Sequence, residues 1–298
     1  MKMNPRALAL LAATAAGAIY GVNHTVAKGL MPDVIQPYGF ILLRISGALL
    51  LFWLISFFFT SEKIDRSDWL RIISCAFFGM TLNMLMFFKG LSLSTPINSS
   101  VVITLVPVIL LVMSAIFIKE KITWLKSIGI GLGLVGALLL ILFGAKTQPN
   151  APNIPLGNIL FIINAFAYST YLIIVKPLVA KYSSITLMKW FFLFAFIINI
   201  PIGYSELSMV NWSELSSTSI WQLVFVVVGT TFLTYLFNIY ALKQLRPSTI
   251  GALIYLQPVL AVLYAVLVGA DILTALRIGA AILIFTGVYL STRKPKNT

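Results

Sequence analysis

GLSLSTPINSSVVITLVPV, residues 90–108, and ALKQLRPSTIGALIYLQPV, residues 241–259, are the two stretches on which the fold turns. Laid side by side, they place Pro96 over Pro247, Pro107 over Pro258 and Val108 over Val259. The register continues beyond them. Glu120-Lys-Ile-Thr aligns with Asp271-Ile-Leu-Thr, after which Lys126 and Gly129 meet Arg277 and Gly279 with one gap. Upstream, Tyr20 and Lys28 match Tyr168 and Lys176 at the same spacing of eight. Self-similarity at a long fixed shift marks a duplicated unit.

Composition says what kind of unit it is. Of 298 residues, 60% are hydrophobic and 10% charged, against roughly 45–50% and about 25% in a soluble domain. So few charges cannot cover a soluble surface. Ten apolar runs are long enough to cross about 30 Å of hydrocarbon: 7–28, 36–59, 70–93, 97–118, 124–144, 156–180, 185–204, 219–242, 249–268 and 275–292. They lack the period-two alternation of barrel strands, so the expected class is an all-α polytopic membrane protein. Lys2 and Arg6 before an Ala/Leu run resemble a secretory signal, but the run is long and has an internal counterpart, so it is expected to stay as the first span. One cysteine, Cys75, excludes an internal disulfide, and one histidine excludes a His-rich metal site. No cofactor and no metal are expected.

Each half holds five spans: residues 7–144, an outer linker over 145–155, and residues 156–292. Five is odd, so the second half enters the membrane from the opposite side. Inverted repeats of this kind build many secondary carriers, with the site near the midplane between the halves. The formal net charge of +13 fits the same topology better than it fits a nucleic-acid partner. With the N-terminus inside, sixteen basic residues fall at cytoplasmic ends and four (Lys28, Lys89, Lys146, Arg277) at outer ends, leaving Arg44 within span two. Both termini are therefore expected in the cytoplasm.

Several motifs resemble the drug/metabolite transporter superfamily, and within it the EamA-type members with two tandem five-helix domains. They are Ala18-Ile-Tyr-Gly-Val-Asn-His followed by Lys28, Leu43-Arg44-Ile-Ser-Gly-Ala, the Pro107 and Pro258 centres, and the acidic-x-x-Thr motifs with their Gly-rich helices. The resemblance covers essentially the whole chain. Two departures are Tyr20, where the family has Trp, and Lys189, where span two has Arg44. The resemblance implies export of a small metabolite, an amino acid or related compound, across a bacterial inner membrane.

Candidate residues follow from the cost of polarity in lipid, at least about 2.5–3.5 kcal/mol for a charge at a helix centre. All eight carboxylates sit in loops or at helix ends, so no intramembrane acid is available for proton relay. Arg44 reads either as a clamp on a substrate carboxylate or phosphate, or as a side chain paired with backbone carbonyls. His24, one turn beyond Tyr20, reads as a cavity hydrogen-bonding group or a proton coupler. Lys28 and Lys176 are expected at opposite interfaces. Asn83, Thr104, Tyr168, Thr230, Thr231 and Gln257 lie near span centres, with Asn164 and Tyr171 on the flanks of span six and Asn238 and Tyr255 on spans eight and nine; amides and hydroxyls there must turn inward, either as a site or as glue between helices. Pro107 and Pro258 are expected to kink spans four and nine. Gly129, Gly131, Gly133 and Gly136 read as a helix-packing or homodimer face.

The leading expectation is a carrier for a small-molecule substrate, working by alternating access with the bilayer as its other partner. A channel or a non-transporting scaffold is the alternative. A membrane enzyme is disfavoured because Asp65 and Asp68 are balanced by Lys63, Arg66 and Arg71 and the lone histidine has no acidic neighbour.

Overall fold

The computed structural model describes residues 4–59, 62–94, 99, 102–144, 152–257, 259–260 and 275–292, excepting the side chains at 24, 25, 137, 140–144 and 277. All regular structure among these residues is helical. The helices are α1 (Pro5–Leu30), α2 (Pro37–Ser56), α3 (Arg66–Leu93), α4 (Val106–Phe117), α5 (Trp124–Gly144), α6 (Ile154–Lys181), α7 (Ser184–Ser208), α8 (Ser217–Gln244), α9 (Pro247–Leu253) and α10 (Ala275–Thr292). Their starts are written locally. Pro5, Pro37, Pro155 and Pro247 occupy first turns, where a missing N–H costs nothing. The side chains of Asn4, Asn153, Ser183 and Ser216 accept from backbone N–H groups that their helices leave open.

Six helices (α1, α2, α3, α6, α7 and α8) are long and apolar enough to cross a membrane, and Val106–Phe117, Trp124–Gly136 and Ile278–Thr292 are shorter apolar helices. The shortness of α4 has a local cause. The chain turns at Thr104–Leu105, with the Leu105 N–H donating to the Val102 carbonyl at 3.0 Å, and Pro107 follows in the first turn of α4. The expected mid-span kink at Pro107 is therefore a break placed just upstream of it. A matching turn at Ile254–Tyr255 ends α9, with the Gln257 N–H donating to the Ile254 carbonyl at 3.0 Å. Pro258 lies outside the described residues.

Long-range contacts fix the direction of each helix. Arg6 Nη2 donates to the Thr292 carbonyl at 2.5 Å, so α1 begins where α10 finishes, which we call the near end. At the far end, Lys28 Nζ reaches the Leu91 carbonyl at 2.9 Å and the Asn153 N–H meets the Leu93 carbonyl at 3.0 Å. Thus α1 runs from near to far and α6 from far to near.

Packing follows a simple exchange rule. The tightest neighbours include α2 with α7, α5 with α10, α4 with α9, α1 with α8 and α3 with α6. Swapping each helix for the one five places along leaves this pairing unchanged. Glycines bring the backbones together. A Cβ on Gly129 would lie 2.6 Å from the Gly287 carbonyl, and one on Gly136 2.8 Å from the Ala280 carbonyl, so both are consumed by the α5–α10 contact within one chain. Gly131 faces open space. The outer surface carries Phe57, Phe58, Leu70, Trp124 and Trp221, all well exposed, as suits a lipid-facing belt with aromatic ends.

Two helices are not uniformly α. Residues Ala76–Leu82 of α3 and Phe225–Leu233 of α8 wind as π-helix, at equivalent places in the two halves. A wider turn displaces carbonyls from their usual donors, and in an apolar interior each needs another. The Tyr235 hydroxyl of α8 donates to the Gly79 carbonyl at 2.9 Å. The Thr230 carbonyl, its repeat equivalent, accepts from Arg44 Nη2 at 3.3 Å and from the Thr234 hydroxyl at 2.7 Å. Each half thus answers a displaced carbonyl of the other.

The near end is also clipped by polar loops. Glu62 accepts from the Ser183 N–H at 2.7 Å, binding the α2–α3 loop to the start of α7. Burial pushes the Glu62 carboxyl up, but the Ser183 N–H, the Thr186 and Ser183 hydroxyls and the Lys243 charge more than offset it, leaving it below the usual glutamate range. Asp68 accepts from Lys181 and from the Tyr182 hydroxyl, each at 2.8 Å, and Glu120 takes Lys126 and the Ser248 hydroxyl.

Three stability outcomes follow, each readable as thermal unfolding of detergent-purified protein. Gly129→Ala should cost about 1–3 kcal/mol through overpacking, whereas Gly131→Ala should be neutral. Tyr235→Phe should cost about 1–3 kcal/mol by leaving the buried Gly79 carbonyl unanswered. Glu62→Gln should destabilise at pH 7. Because the folded-state carboxyl is held low, the wild-type advantage is present above the ordinary glutamate pKa of about 4.3. It fades as pH falls through the lower folded-state value. A wild-type advantage independent of pH would refute the Glu62 account.

Candidate functional site

Between the α1/α8 pair and the α3/α6 pair lies a cavity of about 110 Å³. Tyr20 and Asn23 of α1 and Tyr235 of α8 form one wall. Asn83, Met84, Phe87 and Phe88 of α3 with Asn164 and Tyr168 of α6 form the opposite one. Arg44, Ile103, Val106, Ile254 and Gln257 complete the lining. Tyr20 and Asn23 stand three residues apart on α1 and share a face, as do Asn83 and Phe87 at a spacing of four. Beneath this space, towards the near end, is a second cavity of about 20 Å³ that includes Ala13, Gly17, Asn238, Ile250 and Leu253. Tyr20, Tyr168, Ile254 and Gln257 line both. They form a floor one side chain thick.

Arg44 carries the one formal charge among the described lining residues. It is 2% exposed, and its planar head is held from two sides. Nε donates to Thr231 Oγ1 at 2.9 Å, while Nη2 donates to the Thr230 carbonyl. The Thr231 hydroxyl gives its own proton to the Val226 carbonyl at 2.8 Å, so its oxygen is oriented to accept. The guanidinium carbon lies 4.5 Å from the centroid of the Phe88 ring and 5.6 Å from that of Phe40, a geometry suited to cation–π attraction. The two rings meet edge to face at 5.1 Å. Nη1 has no hydrogen-bond partner. Part of the head thus serves the Thr230 carbonyl and the Thr231 hydroxyl, and Nη1 is left unpartnered.

The amides divide in the same way. Asn164 Nδ2 donates to the Asn83 carbonyl at 2.8 Å, joining α6 to α3 just past the π-helical stretch. Asn199 of α7 donates to Thr81 Oγ1 at 2.9 Å, tying α7 to that stretch as well. Asn23 is buried, with Oδ1 unpartnered.

Of the residues singled out from sequence, Tyr20, Arg44, Asn83, Asn164, Tyr168 and Gln257 converge on the larger cavity and Asn238 on the smaller. Tyr255 does not. Its ring packs on Gly133 of α5, where a glycine Cβ would collide with it, and so it turns away from the cavity. Thr104 is buried at the break before α4 and is not part of the lining. The side chain of His24 lies outside the described residues. Asn23 and Tyr235 were missed. Asn23 is three residues from Tyr20, a signal eclipsed by the adjacent histidine, and Tyr235 reads from sequence as one more aromatic in an apolar span.

Lys28 and Lys176 form a matched pair at opposite ends. Lys28 Nζ of α1 donates to the Leu91 carbonyl at 2.9 Å and the Ser94 carbonyl at 3.5 Å, at the end of α3. Lys176 Nζ of α6 donates to the Leu242 carbonyl and, at 2.8 Å, to the Leu245 carbonyl, at the end of α8. Each lysine answers carbonyls that a helix terminus leaves open and sits at the favourable pole of its dipole. Each also bridges the two helix pairs that flank the cavity.

Known proteins share this architecture. The model described as the EamA-like transporter family matches residues 7–142 and again residues 155–293. An uncharacterized transporter of Archaeoglobus fulgidus is 26% identical over 233 residues, covering 78% of this chain and 81% of that protein. The uncharacterized transporter YetK of Bacillus subtilis is 24% identical over 176 residues, covering 58% and 53%. A WAT1-related protein of Arabidopsis thaliana is 24% identical over 238 residues, covering 71% and 64%. A crystal structure of a further protein superposes with a TM-score of 0.76 at 19% identity, over 95% of this chain and 96% of that one, which shows a common fold. With two successive family matches across nearly its whole length, this chain belongs to the EamA-like transporter family of the drug/metabolite transporter superfamily.

Proposed function

We propose that this protein is a secondary transporter that moves a small organic metabolite across a bacterial inner membrane by alternating access. The metabolite is an amino acid or related compound and the direction is export, both on the strength of family resemblance. The chain crosses the bilayer ten times, as two inverted five-helix repeats over residues 7–144 and 156–292, with both termini and the near end in the cytoplasm. The positive-inside distribution of lysine and arginine supports that orientation. The exchange-symmetric helix pairing and the opposite courses of α1 and α6 support the inversion.

The observation that carries the reading is the matched lysine pair on either side of the two adjoining cavities. The Lys28 contact joins the helix pairs at the far end, and the Lys176 contact joins them at the near end. A two-state carrier needs such a pair, because opening towards one side means releasing one contact while the other holds.

The test uses the chain with Cys75→Ser as background, reconstituted in liposomes. Phe87→Cys reports the far half of the cavity and Gly17→Cys the small near cavity. Lys28→Ala should raise maleimide labelling at position 87 from the far side by about tenfold and lower it at position 17, as expected for a population shift of about 1.4 kcal/mol. Lys176→Ala should do the reverse. Parallel changes at both positions would refute alternating access. Preloaded substrate should accelerate uptake of labelled substrate, and uptake without that acceleration would identify a channel.

A further inference from the structure

Arg44 holds a second piece of information about what the cavity accepts, and it rests on the transport reading above. A buried cation with an unanswered N–H is costly, and a ligand that answers it recovers that cost. Nε and Nη2 are committed to Thr231 and Thr230, which leaves Nη1 as the unpartnered nitrogen of a head that lines the cavity. The Phe40 and Phe88 rings lie against the head, with the guanidinium carbon 5.6 Å and 4.5 Å from their centroids. With one fixed charge among the described lining residues, the cavity matches a monoanion better than the dianion of a phosphate ester. Asn23 Oδ1 is the complementary orphan, a buried acceptor without a donor in the same lining. Met84, Phe87 and Phe88 supply an apolar wall.

We infer that Arg44 is the specificity-determining residue of this carrier: its Nη1 takes the carboxylate of a small monocarboxylate with an apolar body, and Asn23 Oδ1 takes an N–H group on the same molecule. No covalent step is involved. The guanidinium stays charged throughout, because it cannot be deprotonated under physiological conditions. A primary amide of equal size keeps a carbonyl acceptor for Nη1 but loses the charge-assisted bond and leaves the buried cation uncompensated, so it should be rejected.

The experiment is thermal unfolding of the purified full-length protein with matched probes, followed by uptake in liposomes. The probes are the twenty standard amino acids and their primary amides, 4-methylpentanoate and its amide, isopentylamine, and inorganic phosphate and chloride. At least one carboxylate should raise the unfolding midpoint in wild-type protein, and its amide should not. Arg44→Gln should abolish the response, and Arg44→Lys, which keeps the charge but loses the planar fork, should weaken it by about tenfold or more. Asn23→Leu should weaken the response to an amino acid while sparing 4-methylpentanoate. Should the Arg44 variants fail to fold, the carboxylate-against-amide contrast in the wild type decides the matter alone. Equal responses to carboxylate and amide would overturn the inference, as would a response to phosphate or chloride only. Uptake of isopentylamine or an amide with no carboxylate response would overturn it and leave the transport reading standing. Absence of both response and uptake across the whole panel would bring down both.

Discussion

The rest of this structure depends on one requirement: a backbone carbonyl buried in an apolar bundle must find a donor inside the protein. The π-helical stretches of α3 and α8 raise that requirement at equivalent positions, Gly79 and Thr230. Tyr235 and Arg44 meet it from the opposite halves. Those two bonds fix where the walls of the cavity stand, since Tyr235 and Arg44 both line it. Helix ends impose the same requirement at the perimeter, and Lys28, Lys176 and Arg6 meet it there. Five polar side chains thereby tie α1, α2, α3, α6, α8 and α10 to one another, alongside the Asn164, Asn199 and Glu120 contacts and the glycine-mediated packing.

Duplication explains why the solutions come in pairs. The Lys28 and Lys176 contacts, the two π-helical stretches, and the turns at Thr104–Leu105 and Ile254–Tyr255 recur in both halves. What does not recur is equally informative. Arg44 has Lys189 as its counterpart in α7, and Lys189 lies against the Trp53 and Trp190 rings rather than in the cavity. The duplicated features govern how the bundle holds together, and the unduplicated ones distinguish the walls of the cavity.

Much of this was legible in the sequence, and for identifiable reasons. Long apolar runs and proline-marked starts gave the helices, because both signals act over neighbouring residues. Tyr20, Asn83, Asn164, Tyr168 and Gln257 could be read as inward-facing because lipid penalises an amide or hydroxyl wherever it sits. That rule does not say which inward neighbour a side chain meets. Tyr255 obeys it and still points at Gly133 of α5, and Gly129 belongs to an intrachain contact although its spacing equally suits a second copy. The π-helical stretches left no trace, since AFFGMTL and FVVVGTTFL are ordinary apolar helix sequence. Without them neither the Tyr235–Gly79 bond nor the Arg44–Thr230 bond could be anticipated.

The floor shared by the two cavities has a further consequence, for insulation. Two phenols, an isoleucine and one amide separate the larger space from the smaller. On the transport reading proposed above, this layer is a thin partition along the path, and a turn of the Tyr20 or Tyr168 side chain would join the two spaces. The separation depends on the packing of Tyr20 and Tyr168, and loss of one ring would merge the two cavities into one.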